Sequence, residues 1–156
     1  MSTWFEGVGE VECTIDEVAR DFTDLGRHDS AVVRRMPGLS SVDLVEQTED
    51  SVVIRTNEGL MTRTNIRVEH ERDRLRVEFD EVYEAGSMVT ARSHFKDEFT
   101  AHAGGVKHQV VVGGVRAPGV LGFLYRKFGS QSMGKAFLGA YKSHFEGLTQ
   151  TPDSTN

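Results

Sequence analysis

Glu81, Asp97 and His108 are the side chains whose setting could do chemistry. From Arg74 to Tyr83, the positions Leu75, Val77, Phe79, Glu81 and Tyr83 share one face of an alternating stretch, and Ala91, Ser93, Phe95, Asp97, Phe99 and Ala101 share one face of the next. A carboxylate set among aromatics is costly to bury unless it is paired, hydrogen-bonded or protonated. In the final alternating stretch Val106, His108, Val110 and Val112 form an analogous face. If the three polar groups converge, they could hold a ligand's hydroxyl or ketone, or move a proton. The plainer alternative is an inward histidine that satisfies a core hydrogen bond.

The remaining reactive residue types carry weaker patterns. His28, His70, His94, His102 and His144 show no HExxH or Cys/His spacing, and His94 and His102 alternate onto the outer face with Arg92, Lys96 and Glu98. No metal site and no cofactor is therefore expected. Cys13 is the single cysteine, which excludes an internal disulfide and reads as a buried structural thiol. Gly104-Gly105 and Gly113-Gly114 lack the strand-to-helix context of a phosphate-binding loop. Arg72, Arg74 and Arg76 alternate with acidic and apolar neighbours as on a solvated strand face, and Arg34-Arg35 likewise reads as surface. The formal net charge of −6 argues against a nucleic-acid backbone binder.

These groups must be positioned by a particular order of elements. Phe5 to Cys13 reads as a first strand, with Phe5, Gly7, Gly9, Val11 and Cys13 on one face. Thr14-Ile15-Asp16-Glu17 has the form of a capping box opening a short helix, and a second short helix is expected over Asp29 to Arg35, ending before Pro37. Six strands follow: Ser40 to Glu46, Val52 to Asn57, Met61 to His70 (with Thr62, Thr64, Ile66 and Val68 inward), Arg74 to Tyr83, Met88 to Ala103 and Val106 to Val115. Gly104-Gly105 suits a tight hairpin turn. A helix from about Val120 to Leu148 closes the chain, roughly 40 Å long at ~1.5 Å per residue. Its apolar stripe Leu121, Leu124, Phe128 is rotated against a second, Gly134, Leu138, Tyr141, Phe145, Leu148, with Gly129 near the joint. The 156 residues, 38% hydrophobic, suit a single domain over 1–148 with a disordered tail at 149–156. With no signal-like N-terminus and no membrane-length apolar run, the cytoplasm is the expected location.

This order resembles the helix-grip fold of the START-like, or SRPBCC, superfamily. The closest local similarity is Gly113-Gly114-Val115-Arg116-Ala117-Pro118-Gly119-Val120-Leu121-Gly122, followed by Lys142-Ser143-His144-Phe145-Glu146. The resemblance implies an α+β fold, a curved antiparallel sheet of about seven strands around the C-terminal helix. It also implies a hydrophobic small-molecule ligand such as a lipid, isoprenoid or polyketide-like aromatic. By alternation, the lining would be Phe79, Glu81, Tyr83, Phe95, Asp97, Phe99 and His108 from the sheet, with Leu138, Tyr141 and Phe145 from the helix. A polyketide cyclase or aromatase using Glu81, Asp97 or His108 is the alternative. A protein partner or a homodimer is left open.

Overall fold

The computed structural model describes residues 3–85, 89–116 and 130–150. β1 (Thr3–Val11) leads into two short helices, α1 (Ile15–Asp21) and α2 (Leu25–Val33). Six further strands follow: β2 (Val42–Gln47), β3 (Val52–Thr56), β4 (Gly59–Glu71), β5 (Arg74–Ala85), β6 (Val89–His102) and β7 (Gly105–Arg116). The last described element is helix α3 (Ser130–Gln150). All strand pairings are antiparallel, in one seven-stranded sheet of order β1-β7-β6-β5-β4-β3-β2. This is the helix-grip arrangement. The expected helical stretch before Ser130, with Leu121, Leu124, Phe128 and Gly129, lies outside the described residues.

Local chemistry explains most of the boundaries. Thr14 and Glu17 form the reciprocal capping box at the start of α1. α2 begins four residues before the expected Asp29, because the Asp24 side chain accepts from the Arg27 backbone N–H at 3.2 Å and caps the helix there. Gly26 looks like a helix breaker, yet a Cβ there would run into Gln47 and Leu44, so its smallness lets α2 lie against β2. The β6–β7 turn uses Gly104 and Gly105 at φ 94° and 155°.

The core lies between the sheet and the helices. Leu75, Val77, Phe79, Phe95, Phe99, Val106, Val110 and Val112 are buried, as alternation predicts. β4 departs from its expected pattern. The register shifts between Thr64 and Arg67, with Asn65 at φ 55°, so Met61 and Arg63 face inward before the bulge and Ile66 after it. Thr64 is exposed and Thr62 half-buried, not inward as the unbroken pattern implied. Val68, at the far end of the strand, is 39% exposed.

α3 sits on β1 through small residues. A Cβ at Gly134 would collide with the Phe5 ring, and one at Gly7 would come 3.1 Å from Leu138 Cδ1. The buried stripe of α3 is Gly134, Phe137, Ala140, Tyr141, His144 and Phe145. Leu148, expected on that stripe, is 39% exposed. The stripe is centred about one position away from the expected one because Leu138 leans toward Gly7 and Gly9 of β1, while Phe137 takes the central place.

Candidate functional site

Three groups of buried polar side chains lie in the core facing the helices. The first is a carboxylate–imidazole pair. Asp97 and His108 sit on the same face of β6 and β7 at diagonal positions, since Asp97 is opposite Val110 and Phe99 is opposite His108. His108 Nε2 lies 2.7 Å from Asp97 Oδ1, and both side chains are buried. A carboxylate accepts, so Nε2 carries the proton of that hydrogen bond. The His108 ring stacks on Phe99 at 4.3 Å and meets Tyr141 edge-on at 4.8 Å. Asp97 Oδ2 and His108 Nδ1 have no hydrogen-bond partner among the described residues, although both are buried. Burial, with the Asp97 charge adding to it, holds the Tyr141 phenol well above its ordinary pKa.

The second group centres on Arg63. The bulge in β4 turns Arg63 inward directly opposite Glu81, and its Nε donates to Glu81 Oε1 at 2.9 Å. Its Nη1 donates to Asp29 Oδ1 of α2, also at 2.9 Å. The guanidinium carbon stands 4.5 Å above the Phe79 ring, and Phe79 stacks on Phe95 at 4.9 Å. Burial pulls the Arg63 pKa down, but the carboxylates of Asp29 and Glu81 outweigh it and hold it above its ordinary value. For Glu81 burial dominates, lifting its carboxyl above the usual range against the pull of Arg63.

The third group joins the helices. Asp21 Oδ2, at the end of α1, lies 2.5 Å from His28 Nδ1 of α2 and 2.8 Å from His144 Nε2 of α3, and all three residues are buried. Burial alone would raise the Asp21 pKa. The hydrogen bonds from His144 and His28 reverse this and hold it well below the usual carboxylate range.

The sequence-derived lining separates on this map. Phe79, Glu81, Phe95, Asp97, Phe99, His108, Tyr141 and Phe145 are all buried on the face toward the helices. Glu81 serves Arg63, whereas Asp97 and His108 serve each other, so the three do not form one cluster of direct contacts. Tyr83 lies nearer the β3–β4 turn, its hydroxyl 3.4 Å from both Thr56 Oγ1 and Glu58 Oε1. Leu138 is half-buried toward β1. Phe145 packs among Phe22, His28 and Phe99.

Sequence reasoning missed Arg63, Asp29, Phe137 and the Asp21, His28 and His144 cluster. Phe137 meets Phe95 edge-on at 5.1 Å and was legible as the position three residues after Gly134 and four before Tyr141. Arg63 was hidden by the bulge. Cys13 is buried as expected, and burial with the nearby charges of Glu17 and Glu146 pushes its thiol up to about 12, which leaves it a poor nucleophile. His94 lies on the outer face, as expected, between Glu78 at 2.6 Å and Asp80 at 2.7 Å. On that same outer face a hollow of about 370 Å³ is bordered by Arg67, Glu69, Arg76, Lys96 and Glu98 and reaches Asp97, a largely charged lining unlike that of an apolar ligand site. No described helix is long and apolar enough to cross a membrane.

No protein-family model matches the sequence, and no curated protein matches it significantly. Solved structures do match. A STAR-related lipid transfer protein from Xanthomonas axonopodis superposes with a TM-score of 0.62 at 16% identity, covering 90% of this chain and 84% of that one. A conserved protein from Geobacillus kaustophilus gives a TM-score of 0.59 at 12% identity, covering 90% and 93%. The di-domain ARO/CYC BexL from the BE-7585A biosynthetic pathway gives 0.52 at 18% identity, covering 91% of this chain and 49% of its own. The fold is START-like.

Proposed function

We propose that this START-like chain binds a largely apolar, ring-bearing small molecule between the concave face of its sheet and α3, with the ligand's polar end on Asp97 and His108. The observation that carries this reading is the pair of orphaned buried atoms, Asp97 Oδ2 and His108 Nδ1. An unmet buried polar atom costs about 1–3 kcal/mol. In the tautomer that serves Asp97, His108 Nδ1 is an acceptor, so both atoms call for a hydroxyl or amine donor. The surrounding Phe95, Phe99, Phe137 and Tyr141 rings supply apolar walls of the kind a lipid, isoprenoid or aromatic polyketide would meet. Support also comes from the fold, shared with proteins described as a STAR-related lipid transfer protein and as an ARO/CYC.

Native mass spectrometry of the protein purified from its own host tests the reading. The expected result is a retained small molecule in excess of the chain mass, displaced by an apolar fluorescent probe at one saturable site. A ligand-free protein that also fails to bind the probe would overturn it.

A cyclase-like enzyme is the second reading, favoured by the Asp97–His108 dyad packed beside Tyr141. Asp97→Asn separates the two, since it keeps the side chain's shape and one acceptor oxygen for His108 Nε2–H, turns the other oxygen into a donor that a ligand hydroxyl can accept from, and removes proton transfer. A binding protein keeps its affinity within about tenfold, or ~1.4 kcal/mol. A cyclase keeps binding but loses turnover by a factor on the order of 100.

A further inference from the structure

We propose that Asp21, His28 and His144 form a binding site for a divalent transition-metal ion of the zinc class, which clips α1, α2 and α3 together. Each residue offers one ligand atom, and these atoms all lie within 4.8 Å of one another. One carboxylate oxygen, Asp21 Oδ2, faces ring nitrogens from two different helices, His28 Nδ1 at 2.5 Å and His144 Nε2 at 2.8 Å. In the metal-free protein these are hydrogen bonds; an ion bound at about 2.0–2.1 Å would replace both shared protons and spread the three atoms to about 3.3 Å apart. Two imidazole nitrogens and a carboxylate oxygen are a donor set suited to zinc, whereas calcium and magnesium favour all-oxygen shells. Three protein ligands leave a fourth tetrahedral position to water.

A second observation concerns the far side of the His28 ring. Among the described residues His28 Nε2 is fully buried and makes no hydrogen bond, and the carboxylate oxygen Asp29 Oδ1 stands 3.9 Å from it. A histidine that binds metal through Nδ1 keeps its proton on Nε2, and such rings almost always donate that proton to a carboxylate, carbonyl or water. Asp29 stands where that partner belongs, itself fixed by Arg63 at 2.9 Å. A small shift of the ring would complete the bond.

The charge of the interior points the same way. Among the described residues the buried carboxyl groups are Asp21, Asp29, Glu81 and Asp97, and Arg63 is the buried residue with a permanent positive charge. A divalent ion at Asp21 would add positive charge beside these carboxylates. The rings around His28 pack closely, with Phe22 at 3.9 Å, Tyr141 at 5.5 Å and Phe145 at 5.8 Å between centroids. The linear sequence gives no hint of it, because the ligands do not share an element.

The test strips the full-length protein with a chelator and titrates it with zinc chloride and, separately, cobalt chloride. The expected results are one equivalent of metal per chain, a Kd below about 1 µM, and the intense visible bands of tetrahedral cobalt. The thermal midpoint should rise by roughly 5 °C or more at saturating zinc. His144→Gln, checked for its fold by circular dichroism, should weaken binding by about 100-fold or more. Absence of tight binding by the wild-type protein overturns the site, and this arm needs no variant to fold. Tight binding that survives in folded His144→Gln and Asp21→Asn proteins overturns it equally. Neither result bears on probe binding at Asp97 and His108, so the two proposals fail separately.

Discussion

His94 shows how a residue on the outer face of the sheet acquires a pH-dependent role. It lies directly opposite Asp80 across β5 and β6 and also reaches Glu78. Burial pulls its pKa down, but the hydrogen bonds to Asp80 and Glu78 outweigh this and raise it above the ordinary 6.5. A histidine with a raised folded pKa contributes stability that is fully present below its unfolded pKa and is lost as pH rises through the folded one. His94→Gln should therefore cost more stability at about pH 6 than at about pH 9, as read from denaturant midpoints at the two pH values. The difference should stay below about 1 kcal/mol because the partners are substantially exposed. Equal losses at both pH values would mean that His94 contributes through packing alone. Strand alternation groups Glu81 and Asp97 with His108, and the fold divides them between Arg63 and His108.

At the scale of elements, the seat of α3 on β1 depends on the absence of side chains at Gly7 and Gly134. Inside an isolated helix, Gly134→Ala would gain about 1 kcal/mol. Here the new methyl group would enter the Phe5 ring, whose residue is only 4% exposed and has little room to yield. The substitution should instead destabilise the protein by about 1–3 kcal/mol. Pairing it with Phe5→Leu should recover part of the loss, measured as a coupling in a double-mutant cycle. A stabilised Gly134→Ala protein would show that the helix does not approach the strand this closely. The same contact explains the two glycines of β1, since a Cβ at Gly7 or Gly9 would come 3.1 Å or 3.6 Å from the Leu138 side chain.

For the whole molecule, the question is whether the interior holds a ligand or is filled by its own rings. Phe79 stacks on Phe95, which meets Phe137 of the helix edge-on, so Phe95→Trp adds volume at the centre of this ring cluster. If a ligand occupies space beside this stack, the variant should fold with little loss of stability and should no longer bind an apolar fluorescent probe. If the rings fill the interior, the wild type should bind no probe and the variant should lose about 1–3 kcal/mol from overpacking. Probe titration and a denaturant melt on the same two proteins distinguish the outcomes.

The sequence by itself determined the element order, the α1 capping box, and the inward faces of β5, β6 and β7. Strand side chains alternate with a period of two, so an unbroken run of pairing fixes which residues are buried, and Phe79, Asp97 and His108 follow directly. Only the tertiary structure decided which of those side chains meet. The bulge at Asn65 reversed the alternation in β4 and brought Arg63 to Glu81, an event that a period-two reading cannot foresee. Asp21 and His144 are 123 positions apart, and they meet because α1, α2 and α3 all cover the same side of the sheet. Periodicity is local, whereas the pairing of buried charges is settled by which faces pack together.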